Sequence, residues 1–243
     1  RRVDRVAGVI AGDATLNRDG GEPVRLAAMR VTHGLLPLLG VNPIVGGGFT
    51  ADDDRLGGPA VTVISEALWQ RVFARDPGVI GRTLRIDDRR WTVIGVVAAG
   101  ADFGILQVLS AADYARGFAD RDARSQVDAW MPLQADPEQL VRDTHPLIMI
   151  GRLARGASVA TAQEELATIA AELERTYEPH KARGVHVQPP HHVVVGSTEP
   201  GDDARLIAAF EQIEQACARS DAELVLVIPE LAARGKELRN WWM

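Results

Sequence analysis

Between residues 61 and 97 the hydrophobic positions change period twice. "VTVIS" is an almost unbroken β-branched run, the make-up of a short buried strand. In "SEALWQRVFARDPG" the apolar residues fall four apart, Leu68 with Val72 and Trp69 with Phe73, which places them on one face of a helix. Ser65 stands where a side-chain oxygen can accept from an orphan amide and open that helix. Asp76-Pro77-Gly78 closes it, because the residue before proline resists helical geometry and glycine tolerates positive φ. "TLRIDDRRWTVIGVV" returns to a period of two: Leu84 and Ile86 alternate with Thr83 and Arg85 before a turn at Asp87-Asp88. The return strand is mostly apolar and is expected to be buried on both faces. Asp-Asp is a poorer two-residue turn than Asp-Gly, so a loop of more than two residues is expected. In this reading Arg85 and Arg89 face solvent, while Leu84, Ile86, Trp91 and Val93 enter the core.

The same patterning organises the rest of the chain. Residues 3–11 and 24–31 read as strands, joined by a polar, Gly-rich loop from Asp13 to Pro23. Residues 31–51 carry no Asp, Glu, Lys or Arg and match a membrane span in length. Pro37, Pro43 and Gly46-Gly47-Gly48 oppose a helix there, and a strand end, a short helix and a glycine turn are predicted instead. Residues 98–127 read as loop with one short helix near 110–118. "VDAWMPL" reads as a strand ending at Pro132, and "HPLIMIGRLARG" as a strand running into a turn at Gly156. From Ser158 to Tyr177 the apolar positions Ala162, Leu166, Ile169, Ala170, Leu173 and Tyr177 form one helical stripe. Ser158 is its N-cap, with Glu164 and Glu165 near the positive end of the dipole. "GVHVQPP" adds a strand. Beyond Pro200 come a helix (203–218), the apolar run "ELVLVIP" and a last helical stretch. The mixed order and the hairpin give an α+β class.

Bulk properties exclude more than they select. The chain has 243 residues, 46% hydrophobic and 25% charged, with a formal net charge of −6. That balance argues against wholesale disorder and against a broad nucleic-acid surface. The single cysteine, Cys217, permits no intrachain disulfide. "RRVDRVAGVIAGDATL" has too short an apolar stretch for a signal peptide.

Candidate chemistry is sparse. No G-x-x-x-x-G-K-[ST] run is present, and Gly46-Gly47-Gly48 reads as a turn and not a dinucleotide loop. Ser65 and Ser158 lack the G-x-S-x-G elbow and read as caps. Counted from Asp52, the Asp52-Asp53-Asp54 run places Leu56, Gly57 and Val63 at positions 5, 6 and 12 of a calcium loop. Those residues supply neither the ligand at 5 nor the Glu at 12, so a solvated acidic loop is expected. His191-His192 are adjacent and on a strand would point to opposite faces, a poor chelate. Trp69, Trp91 and Trp130 sit in apolar stretches and read as core. No catalytic, cofactor-binding or metal-binding residue is assigned, and no cofactor is expected.

Four passages occur in a telling order: "LLPLLGVNPIVGGGFTADDD", "VTVISEALWQRVFARDPGVIGRTLRIDDRRWTVIGVV", "VDAWMPL" and "MIGRLARGASVATAQEELATIAAELERTY". Together they resemble the MacB-like periplasmic core domain of ABC-transporter-type permeases, of the duplicated orphan type, over about residues 20–198. The chain departs from the family pattern at Leu35-Leu36, where an aromatic is usual, and at Gly47-Gly48-Phe49, which lacks an arginine. Residues 201–243 are charged throughout and do not supply a second membrane helix.

The resemblance implies a porter-like subdomain from residues 1–30 and 140–198, an inserted mixed α/β subdomain with a β-hairpin from 31–139, and a divergent βα tail at 199–243. It implies a non-catalytic domain on the outer face of the bacterial cytoplasmic membrane, coupling or interacting in efflux and export. The implied partners are the membrane helices of the full-length permease, a separate cytoplasmic ATPase, and a periplasmic partner or cargo; nucleic acid is not among them. Two other readings stay open: a soluble adaptor derived from such a permease, and an enzyme whose site gathers scattered residues such as Asp52–Asp54 or His191 and His192.

Overall fold

The computed structural model describes residues 2–18, 20–99, 101, 126–136, 147–176, 183–188 and 224–231. Ten strands form one continuous sheet among them. In chain order they are β1 (Val3–Asn17), β2 (Val24–Val31), β3 (Pro43–Gly46), β4 (Val61–Ser65), β5 (Thr83–Ile86), β6 (Arg89–Val97), β7 (Ala129–Pro132), β8 (Ile148–Leu153), β9 (Arg183–Gln188) and β10 (Leu224–Leu231). The helices are α1 (Leu35–Leu38), α2 (Ala51–Asp54), α3 (Glu66–Phe73) and α4 (Val159–Thr176), with a 3-10 turn at Pro77–Val79. The α+β class expected from the sequence is what the fold shows.

The sheet closes on itself over part of its width. Neighbours run β2-β7-β4-β6-β5-β1, and β1 pairs back onto β2, so six strands form a ring. On the β5 side the closure rests on two residue pairs, Leu16 with Ile86 and Asn17 with Arg85. Each ring strand sends apolar side chains into one shared core: Leu16, Leu26, Met131, Ile64, Trp91 and Ile86 are examples. Leu68 of α3 and Val79 pack onto the same core. The strand period of two then sends alternate residues outward. On β2, Leu26 and Ala28 face the ring interior. Ala27, Met29 and Val31 join a second core with the leucines of α1, Phe49, Trp130, Ile148 and Ile150. A strand buried on both faces explains the unbroken apolar run "LAAM".

Several local expectations hold. Ser65 caps α3, accepting from the Leu68 amide at 3.1 Å. The long helix spans Val159–Thr176, and the Ser158 hydroxyl accepts from the Thr161 amide at 3.3 Å. Trp91 and Trp130 are buried in the core, whereas Trp69 is half-buried and donates its indole N–H to the Asp76 carbonyl at 2.8 Å. The strands foreseen at 61–65, 129–132, 148–153 and 183–188 are all present.

Others need correction. β1 does not stop at Ala11 but continues through Asp13 to Asn17, because ladder pairing to β2 and β5 carries the polar end of the strand. The hairpin loop has two residues, since Ile86 pairs with Arg89. Asp87 accepts the left-handed geometry that Gly would normally supply (φ 51) because its carboxylate and amide are both engaged by β1. The carboxylate accepts from the Thr15 amide at 2.8 Å, and its own amide donates to the Thr15 carbonyl at 2.8 Å. Residues 43–46 form a strand that the prolines and glycines concealed, and Asp52–Asp54 lie in a one-turn helix and not in a solvated loop. The helices expected near 110–118 and 203–218 and in the last stretch, with His191, His192 and Cys217, lie outside the described residues.

Beyond the ring the sheet extends as β1-β8-β10-β9. Val3–Val9 pair antiparallel with Leu153–Ile148, which joins the start of the chain to the segment before α4. The apolar run near residue 225 inserts as β10 between β8 and β9, pairing Val225 with Gly151 and Val227 with Val187. Among the described residues β9 is the last strand, and Gln163 of α4 covers its open edge. The Gln163 amide donates to the Val185 carbonyl and accepts from the Val187 amide, both at 2.7 Å, as a neighbouring strand would. Gln163→Leu strands both backbone groups on an open edge. The expected result is a loss of about 2 kcal/mol in urea unfolding and faster aggregation on warming. An unchanged midpoint and light-scattering onset would contradict this role for the glutamine.

Candidate functional site

At one end of the ring the inward alternation stops being apolar. Leu26 and Ala28 of β2 are followed in phase by Arg30, and Trp91 and Val93 of β6 are preceded in phase by Arg89. The two guanidinium groups converge on one aromatic ring. The Arg89 guanidinium carbon lies 4.5 Å from the Trp91 ring centre and that of Arg30 lies 5.7 Å away. Trp91 itself is 2% exposed, so the arginine stems roof a ring that belongs to the core.

The groups open into a cleft of about 430 Å³. Ile10, Ala14, Trp91 and Met131 give it an apolar part, the carboxylate residues Asp13, Asp87 and Asp88 also line it, and the β5–β6 turn forms its rim. That turn is fastened to β1 by the Asp87–Thr15 pair of hydrogen bonds and by the Asn17 side-chain amide, which donates to the Asp87 carbonyl at 3.0 Å.

Arg89 is positioned from behind. Its Nη2 donates to the Gln134 Oε1 at 3.1 Å. Gln134 in turn donates from Nε2 to the carbonyls of Asp53 and Pro59, at 2.8 and 2.9 Å. Its backbone amide donates to the Asp54 carboxylate at 3.0 Å. The other Asp54 oxygen accepts from the His33 amide at 2.8 Å. Asp53 closes a capping box with Thr50. The acidic run is therefore a clasp joining α2, the end of β2 and the segment after β7, and two of its three carboxylates are committed to backbone amides. Among the described residues no group of three or more His, Cys, Asp or Glu is arranged to hold a metal.

Arg30 has neither a carboxylate nor a carbonyl partner among the described residues. Burial holds its pKa below the ordinary arginine value, and the Arg89 charge beside it adds to the effect, opposed by Asp87. Three carboxylate residues also line the cleft: Asp13 accepts from Arg25, Asp87 accepts from the Thr15 amide, and Asp88 lies at the exposed turn. The arrangement offers two cationic forks, an aromatic face and an apolar wall. It offers no nucleophile with an adjacent base.

The sequence assigns no site residues and places Arg89 in solvent; the side chain is exposed, and it also lies over Trp91. The signal that was available is the phase of the alternation, since Arg30 and Arg89 each occupy the next inward position after apolar residues. Nothing local shows that the two positions meet, because their approach depends on the ring closing. Gly46-Gly47-Gly48 is a close crossing of backbones, with the Gly47 amide donating to the Ile94 carbonyl at 2.8 Å. A nucleotide loop is not what those glycines form.

Comparison with known proteins bears on what carries this cleft. The family model described as the MacB-like periplasmic core domain matches residues 1–169. No curated protein matches the chain. The crystal structure of the periplasmic region of MacB from Actinobacillus actinomycetemcomitans is similar in fold, with a TM-score of 0.51 and 14% identity over 72% of this chain and 69% of that one. The extracellular domain of the noncanonic ABC-type transporter YknZ from Gram-positive bacteria gives a TM-score of 0.48 at 13% identity, covering 72% and 76% of the two chains.

Proposed function

The chain belongs to the family of MacB-like periplasmic core domains, and from that premise we propose that it is a non-catalytic coupling module of an ABC-transporter-type permease. In this reading it stands on the outer face of the bacterial cytoplasmic membrane, attached to the membrane helices of the full-length protein. A separate cytoplasmic ATPase drives it, and a periplasmic partner or cargo receives the motion. No described helix is long and apolar enough to cross a membrane, so the helices of this reading lie outside the described residues.

The observation that carries the proposal is the double membership of β1. Its first half is laddered to β8 in the outer sheet, and its second half to β2 and β5 in the ring. A strand hydrogen-bonded along its whole length resists extension and register slip. A displacement applied to the outer sheet is thus delivered to the ring as a body. The division proposed with it assigns residues 1–30 and 140–198 to a porter-like part, 31–139 to an inserted part and 199–243 to a tail; β1 and β2 of the first part pair with β5 and β7 of the second, and β10 of the tail lies between β8 and β9.

The test uses the complete gene product in its host, in a Cys217→Ser background. A cysteine introduced at the exposed Asp88 is expected to react in intact cells with a thiol reagent that cannot cross the cytoplasmic membrane. The protein extracted in mild detergent is expected to bring a nucleotide-hydrolysing subunit with it. Reaction only after lysis, or a preparation without ATPase activity, would overturn the reading.

A further inference from the structure

We propose that the cleft over Trp91 is a binding site for an organic carboxylate with an apolar portion, gripped by Arg30 and Arg89. The inference does not depend on the transport reading.

Two like charges share one aromatic ring, and no carboxylate among the described residues is hydrogen-bonded to either. Arg89 is held by the neutral amide of Gln134, and Arg30 accepts no such support among the described residues. This arrangement keeps repulsion in the empty protein, and an anion placed between the forks removes it. Guanidinium groups match a carboxylate with two parallel hydrogen bonds, a geometry that a lysine pair would not provide. Of the three carboxylate residues that line the cleft, Asp13 is directed to Arg25 and Asp87 to the Thr15 amide, while Asp88 sits at the exposed tip of the turn.

The remainder of the cleft decides the type of anion. Ile10 and Met131 present apolar surface, and the volume of about 430 Å³ lies within the range of small-ligand clefts. A compact, strongly hydrated anion such as inorganic phosphate would leave that surface uncovered. A carboxylate bearing an alkyl or aryl group places its charge on the arginines and its body against Ile10 and Met131. The same chemistry has two sources, a free small acid or the carboxyl end of a peptide.

The whole chain, labelled with ¹⁵N, is titrated with 3-phenylpropionate and separately with an N-acetylated dipeptide carrying a free carboxyl terminus, each against its own primary amide. The Arg Nε–H signals are assigned with Arg30→Gln and Arg89→Gln. We expect at least one acid to shift both Arg signals saturably while its amide does not. Each Gln variant should weaken that binding by about tenfold or more, the worth of a charge-assisted hydrogen bond. Arg89→Lys, which keeps the charge and loses the fork, should also weaken it. A response to the dipeptide alone supports the site and names a peptide as the source, and a response to phenylpropionate alone names a free acid. Equal binding of acid and amide, or binding that survives both Gln substitutions in folded variants, overturns the proposal. So does the absence of any saturable shift in the native chain.

Discussion

Replacing Gly95 with alanine is expected to destabilise the protein by about 3 kcal/mol, with a fall of roughly 10 °C in Tm. A β-carbon built at Gly95 meets the Gly47 carbonyl oxygen at 2.1 Å and its carbon at 3.1 Å. Both are backbone atoms of the segment that follows β3, so no side chain can swing away. Relief requires β3 to lift from β6, which breaks the Gly47–Ile94 hydrogen bond and the pairing of Gly46 with Gly95. The backbone at Gly95 is not left-handed, so the effect is one of space and not of glycine's conformational range. Gly12→Ala provides the control. Its β-carbon would meet nothing within 4 Å, and its midpoint should stay within about 0.5 kcal/mol of the native one. A Gly95→Ala protein as stable as that control would remove the crossing as an explanation for the glycines.

Asp128→Ala should cost a similar amount, about 3 kcal/mol, for an electrostatic reason. Asp128 is 5% exposed. One carboxylate oxygen accepts from the Ala27 amide at 3.0 Å, and the other from Arg71 at 2.8 Å. Its backbone carbonyl also accepts from the Ser65 amide at 2.9 Å. One residue thus ties β2, the entry to β7 and the start of α3. Truncation leaves a buried N–H on Ala27 with no acceptor, and that is the larger part of the loss. The Arg71 side chain is half exposed, so Arg71→Ala should cost no more than about 1 kcal/mol. Asp128→Asn retains one carbonyl acceptor and should fall between the two. Urea unfolding of the three variants checks the order, and an Arg71→Ala loss equal to that of Asp128→Ala would show that the ion pair dominates instead.

Elements that carry their own signals were legible from the amino acids alone. The stretch from "VTVIS" through the hairpin reads correctly because Ser65, the i,i+4 apolar pairs and the Leu84/Ile86 alternation act over short distances. The stripe of α4 is legible for the same reason. What was misread depends on partners far along the chain. Asp13 looks like the start of a loop until β2 and β5 are placed beside it. Asp87-Asp88 is a poor two-residue turn until Thr15 supplies the bonds that hold Asp87 at positive φ. Asp54 looks solvated, yet it accepts from amides 21 and 80 residues away in the chain. Arg30 and Arg89 meet only because the ring closes, and no window of sequence contains both strands. The four passages in register carried the family resemblance where local pattern could not, and the match over residues 1–169 bears out the family.

The long first strand has a consequence for synthesis. Its later half finds β2 almost as soon as that hairpin is made, whereas Val9 waits for Ile148, 139 residues further on (148 − 9). At ribosomal rates of roughly 5–20 residues per second the wait is on the order of ten seconds. Throughout that interval the backbone from Val3 to Val9, with its exposed Val6, offers an unsatisfied edge to whatever chain is nearby. Residues 3–9 are therefore open to mispairing until β8 emerges, and a chaperone that shields them over that interval would raise yield more than one acting on the finished fold.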